Sequence, residues 1–165
     1  MPSAKSKGVR TLDAIKLLTQ DHEDVRRLFT EYERIAKSGA ESSDRQALAE
    51  RICMMLTVHA TLEEEIFYPA AKEKGVEIDL MDEAEVEHAS AKNLIAQIRG
   101  MAPDDDLYDA KVKVLGEYID HHVKEEQDEM FPKCRRARLD VAGVAQQMAE
   151  RRVELMAEIS EEIVG

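Results

Sequence analysis

A histidine followed four residues on by glutamate, and six beyond that by proline, occurs twice in this chain, 63 positions apart. The copies are His59-x3-Glu63-x5-Pro69 and His122-x3-Glu126-x5-Pro132. Each is preceded by a lone histidine, His22 lying 37 residues before His59 and His88 lying 34 before His122. On an α-helix, positions i and i+4 share a face, so each copy aims an imidazole and a carboxylate at one point. Two such pairs and two single histidines make six N/O donors, a set suited to a pair of iron ions. Any fold that uses them must bring four separate segments to one layer.

Helical periodicity supplies those segments. Leu12, Ile15, Leu18, Val25, Leu28 and Phe29 recur at helical spacing from about Thr11 to Lys37, where Ser38-Gly39 ends the run. Ser43 with Gln46 resembles a capping box and predicts a second helix running to about Lys74, stopped by Gly75. Its inward face would carry Ile52, Met55, Leu56, His59, Glu63, Ile66 and Phe67. A third helix is expected from about Asp79 to Arg99, with Gly100 in the C′ role. Pro103 to Asp106 should open the fourth, which carries Val112, Leu115, Ile119, His122 and Glu126 on one side and closes near Pro132. Asp140 to Ile163 reads as a fifth, amphipathic helix, and no strand pattern of any length occurs.

The expected fold is all-α: an up-down antiparallel four-helix bundle over residues 11–134, with an additional C-terminal helix in 135–165 that packs on the bundle or on a partner. Residues 1–10 read as a flexible leader. A level check agrees: His22 and His59 are each about 15 residues from the first connection, or some 22 Å at a rise of ~1.5 Å per residue. Glu63 and His88 are likewise about 10 residues from the second connection, whereas His88 and His122 lie at unequal distances from Gly100-Pro103, so the third loop must climb.

Composition removes several functions. A net charge of −12 argues against nucleic acid, because phosphate binding needs a basic stripe. The leader is polar with no apolar stretch after it, so no signal peptide is expected, and no run approaches the ~20 apolar residues of a membrane span. Cys53 and Cys134 lack CxxC spacing and suit free thiols in a reducing cytoplasm.

Inward glutamates are the stronger signal. An unpaired Glu on an apolar helix face is costly, so Glu63 and Glu126 require cations or hydrogen bonds. Their neighbours Glu64 and Glu125 turn toward solvent by helical phase, as does His121, about 100° from His122. Met54, Met55, Met81 and Met130 read as gap-fillers, and Arg26 and Lys92 as outward-snorkelling cations.

The pattern His22, His59-x3-Glu63, His88, His122-x3-Glu126, with its Phe-Tyr-Pro and Met-Phe-Pro endings, resembles the hemerythrin-like (HHE cation-binding) family over roughly residues 11–134. The resemblance implies a non-haem di-iron centre with two carboxylates bridging the irons. Carried over by residue, His22 and His59 would hold one iron, His88 and His122 the other, and Glu63 and Glu126 would span them.

This sequence departs from the oxygen-carrying members, which have a fifth histidine one turn from another on the third helix and a bridging aspartate five residues after the last histidine. Here Ala84 and Lys92 flank His88 by one turn, and position 127 is Gln. One iron therefore lacks a ligand, to be completed by Tyr118, by Glu85, by water, or by an exogenous molecule. The expected function is binding of O2, NO or peroxide for sensing or detoxification, and a peroxide- or NO-reactive activity fits the same residues. Two other functions fit the chain: iron storage or donation, including iron–sulfur cluster repair, and a metal-free interaction module pairing with a partner or a second copy through the fifth helix.

Overall fold

A computed structural model describes residues 12–164, with side chains to 162; the leader expected at 1–10 lies outside the described residues. Five helices make up the described residues, and no strand occurs among them. Helix α1 spans Ala14–Lys37, capped by Asp13, whose Oδ1 accepts from the amides of Ile15 and Lys16 at 2.9 and 3.2 Å. Gly39, at φ 78°, turns the chain into α2.

Helix α2 has three parts: Ser42–Leu62, a π-helical turn Glu63–Phe67, and an α-helical end Tyr68–Glu73. Glu41, not Ser43, is its N-cap, and no side chain caps it, so the expected capping box is not formed. Gly75 at φ 80° separates it from α3, Ile78–Arg99. Gly100 caps α3 in the right-handed region, at φ −85°, rather than as a left-handed C′ residue. Residues 103–107 form turns instead of the first turn of a helix, with the Asp105 carboxylate accepting from the Leu107 amide at 3.0 Å.

Helix α4 repeats the plan of α2: Tyr108–Glu125, a π-helical turn Glu126–Met130, and an α-helical end Phe131–Arg136. It therefore continues past Pro132, where the sequence predicts its end. Proline lacks an N–H and crowds the carbonyl four residues back. The π turn just before it re-spaces the backbone so that the helix survives. The last helix, α5, is Val141–Val164.

The first four helices pack as antiparallel neighbours, and α5 lies against α1 and α2. Their apolar stripes make two core clusters. The upper one contains Leu18, Leu62, Phe67, Met81, Met130 and Phe131, closed by Val144, Ala145 and Met148 of α5. The lower one contains Val25, Ile52, Leu56, Ile95, Val112 and Leu115. Fully burying such a side chain contributes roughly 1.5–3 kcal/mol, and the two clusters fix the helices above and below one polar layer. Among the described residues, no helix is long and apolar enough to cross a membrane.

Candidate metal centre

The polar layer holds all six residues that the sequence nominates. His22, His59, His88 and His122 are buried, and Glu63 and Glu126 are 0% and 1% exposed. Each helix of the four delivers one histidine, and α2 and α4 add one carboxylate each. His59 Nε2 lies 3.0 Å and His88 Nε2 3.3 Å from Oε1 of Glu63, while His122 Nε2 is 3.1 Å and His22 Nε2 3.4 Å from Oε1 of Glu126. Two clusters result, one of His22, His59 and Glu126, the other of Glu63, His88 and His122, each with its ligand atoms within 4.8 Å of one another.

All four rings face the same way. Every Nε2 points to the centre, and every Nδ1 is held from outside. His59 Nδ1 is 2.9 Å from Asp21, His122 Nδ1 2.8 Å from Glu87, His88 Nδ1 3.2 Å from Glu64, and His22 Nδ1 3.3 Å from the amide of Gln127. Such outer partners fix the tautomer and the tilt of a metal-binding imidazole. Local spacing in the sequence does not reveal them. Helical phase turns Glu64 to solvent, whereas in the structure Glu64 is partly buried and bridges His88 to Lys92, whose Nζ lies 2.7 and 2.8 Å from the two carboxylate oxygens. Lys92 is thus a partner of the outer shell rather than a free surface cation.

The two π turns shape the upper side. In each, the N–H of the fifth residue after the glutamate bonds back to the glutamate carbonyl: Tyr68 to Glu63 and Phe131 to Glu126. Residue i+5 is thereby placed one turn above i on the same face, where an α-helix would have rotated it away. Tyr68 gains the layer this way. Its hydroxyl donates to Glu126 Oε2 at 3.2 Å and stands 3.4 and 3.3 Å from the Nε2 atoms of His88 and His122. Phe131, in the same position of the second copy, stacks on His22 with ring centres 6.0 Å apart. One half of the centre has a phenol; the other has a phenyl ring.

Neither filler suggested by the sequence reaches the centre. Tyr118 is 50% exposed and Glu85 is exposed. Met81 and Met130 fill the upper core. Arg26 lies 3.9 Å from Asp120 on the surface, and His121 pairs outward with Glu125 at 3.1 Å.

Charge is arranged around protons in the metal-free protein. Burial lowers the pKa of His59, but the charge of Glu63 and the hydrogen bond to Asp21 outweigh it and push the imidazole up to about 10. His122 is likewise raised, burial being overcome by the charge of Glu126 and by the hydrogen bond to Glu87. Burial would raise Glu63, yet His59 and its other neighbours hold it well below the usual carboxylate range. Burial and the charges of Glu63 and Glu126 push the Tyr68 phenol up. The arrangement still fails to satisfy itself. His22 Nε2, His59 Nε2, both oxygens of Glu63 and Oε1 of Glu126 are buried and make no hydrogen bond. Orphaned buried carboxylate oxygens opposite orphaned imidazole nitrogens are what a bound cation would satisfy, so the donor set fits one.

Below the layer a cavity of about 40 Å³ reaches all four histidines between Val25, Leu56, Ala91, Ile95 and Ile119. Above it, a separate polar recess lined by Glu64, Tyr68, Lys72, Glu85 and Lys92 meets the Tyr68 side.

Comparison with known proteins agrees with this geometry. The chain shares 30% identity over 125 residues with a DNA nickase of Nostoc sp. (strain PCC 7120 / SAG 25.82 / UTEX 2576), covering 72% of this chain and 32% of that protein. It therefore spans about a third of the length of this relative. A crystal structure of a hemerythrin HHE cation binding domain-containing protein from Mycobacterium kansasii superposes with a TM-score of 0.76 at 18% identity, over 92% of each chain. Residues 13–134 match the family described as the hemerythrin HHE cation binding domain. With most of its length matched and its histidines and glutamates gathered in one buried layer, the chain belongs to the hemerythrin HHE cation-binding domain family.

Proposed function

We propose that this domain holds two non-haem iron ions through His22, His59, Glu63, His88, His122 and Glu126, and binds O2, NO or peroxide for sensing or detoxification. The observation that carries the proposal is the convergence of four imidazole Nε2 atoms on two fully buried carboxylates whose inward oxygens lack hydrogen bonds. Iron in this layer would supply redox chemistry and open coordination positions. The chain's own residues do the rest. Asp21, Glu64, Glu87 and Gln127 set the imidazole rings, and the Tyr68 hydroxyl offers a further donor to the half containing His88 and His122. The half containing His22 and His59 meets Phe131 instead, which offers no donor.

The apolar lining of the cavity favours an uncharged diatomic molecule, and its volume exceeds what a single small molecule needs. Peroxide suits the polar recess beside Tyr68. Two buried free cysteines fit a reducing cytoplasm. DNA nicking is not part of the proposal: the likeness is to a third of that relative, and a net charge of −12 repels phosphates. The test is the optical response of the iron-loaded protein to azide, NO and peroxide. Spectral change with at least one of them is expected, and inertness to all three would contradict ligand binding at the centre.

A further inference from the structure

Helix α5 lies beyond the residues matched by the family, yet two adjacent arginines tie it to the bundle in different ways. Arg151 pairs with Glu65 on the outer face of α2, at 2.8 and 3.4 Å. Arg152 reaches further in: its Nη2 donates to Asp21 Oδ2 at 2.7 Å. That same oxygen is 2.9 Å from His59 Nδ1. An unbroken chain of hydrogen bonds therefore runs from α5 through Asp21 to an imidazole of the polar layer.

We propose that Arg152 is a positioning residue for His59, and that α5 is thereby a working part of the metal centre. The inference rests on the metal-binding reading above. Asp21 is a buried carboxylate with a side-chain exposure of 12%, and Arg152 fixes it from the side away from His59. Without Arg152, Asp21 loses that anchor and the His59 ring loses its fixed tilt.

The other three rings are held within the bundle: Glu64 with Lys92 serves His88, Glu87 serves His122, and Gln127 serves His22. Dependence on α5 is thus confined to the half containing His22 and His59. The consequence is an inequality between the two metal positions that α5 controls.

The experiment titrates the metal-free full chain with Co(II), followed by visible absorption and calorimetry, alongside Arg152→Gln, Arg152→Lys and Arg151→Ala. Removing an outer partner of a metal-binding histidine typically weakens binding by roughly 10–100-fold. Arg152→Gln should lose about that factor at one of two Co(II) equivalents and leave the other unchanged. Arg152→Lys should recover most of it, and Arg151→Ala should keep both affinities. Unchanged affinities in Arg152→Gln, equal loss at both equivalents, failure of lysine to rescue, or the same loss in Arg151→Ala would each overturn the proposal. A second readout needs no metal: the imidazole nitrogen resonances of His59 in the metal-free chain. These should shift in Arg152→Gln and not in Arg151→Ala. A chain that binds no Co(II) but shows this shift refutes the metal reading and leaves the positioning role standing; unshifted resonances refute the positioning role.

Discussion

Glu63 and Glu126 each open a five-residue π-helical turn, and both are essentially free of solvent contact. They lie 63 positions apart in the chain and face each other across the layer, each on the helix that also brings its own histidine one turn earlier. The added residue in each turn carries Tyr68 and Phe131 onto the face of the histidines. This one device sets the symmetry of the centre, and the Tyr/Phe difference then breaks it.

Tyr68 should decide the colour of the protein once it is loaded with ferric iron. A phenol-to-iron charge-transfer band in the visible is expected in the iron-loaded chain and should vanish in Tyr68→Phe. Tyr118→Phe should keep it, because that ring is half exposed, on the wall of the cavity below the layer. The reverse pattern in the two spectra would show that the π turn does not place Tyr68 as described.

Metal content should follow depth in the layer. Glu63→Ala or Glu126→Ala removes an inward donor and should lower bound metal most. Glu64→Ala and Glu87→Ala release the rings of His88 and His122 and should weaken binding roughly 10–100-fold. Glu129→Ala, on an exposed position, should change nothing. Elemental analysis of all five variants tests the ranking, and equal loss across them would contradict it.

Much of this was legible in the sequence, and the misses have a common cause. Helical periodicity around Leu18, Leu56 and Leu115, with Gly100 as the stop of the third run, gives the four helices, and equal distances from the first two connections put His22, His59 and His88 at one level, whereas His88 and His122 lie at unequal distances from the third. Uniform α-helical phase, however, turns Tyr68 away from Glu63 and Glu64 toward water. The π turns void that phase. Their one visible signal was the proline six residues after each glutamate, Pro69 and Pro132, which reads as a helix end and is in fact absorbed by the re-spaced turn. The outer partners were hidden for another reason. Asp21, Glu87 and Arg152 act across helices, and nothing in local spacing says which side chains of α1, α3 and α5 will meet an imidazole.

Stability of the chelated protein should pass through a maximum with pH. His59 has its pKa raised from 6.5 to about 10, so its contribution is fully present below 6.5 and fades as pH rises toward 10. Glu63 is depressed below 4.5, so its contribution is present above 4.5 and fades as pH falls below it. The metal-free chain should therefore melt highest between about 4.5 and 6.5. The metal-loaded chain should behave oppositely over the upper range, since metal competes with protons for the same atoms. Melting curves with and without chelator should separate widely at pH 8 and converge near pH 5. Parallel curves at all pH values would argue that metal does not occupy the layer.

Access through the cavity can be narrowed without touching a donor. Ala91 lines its apolar wall, and Ala91→Leu adds bulk there at a cost of about 1–3 kcal/mol in stability. Binding of NO to the loaded protein should slow, while reaction with peroxide, reaching the Tyr68 side through the polar recess, should be little changed. Equal slowing of both would place a single route to the centre.

Whether the layer of four histidines and two glutamates holds a pair of irons is read by elemental analysis of the full chain after aerobic expression in iron-replete medium. About two irons per chain are expected, lost on replacement of Glu63 or Glu126. No more than trace transition metal in a protein that remains folded would contradict it.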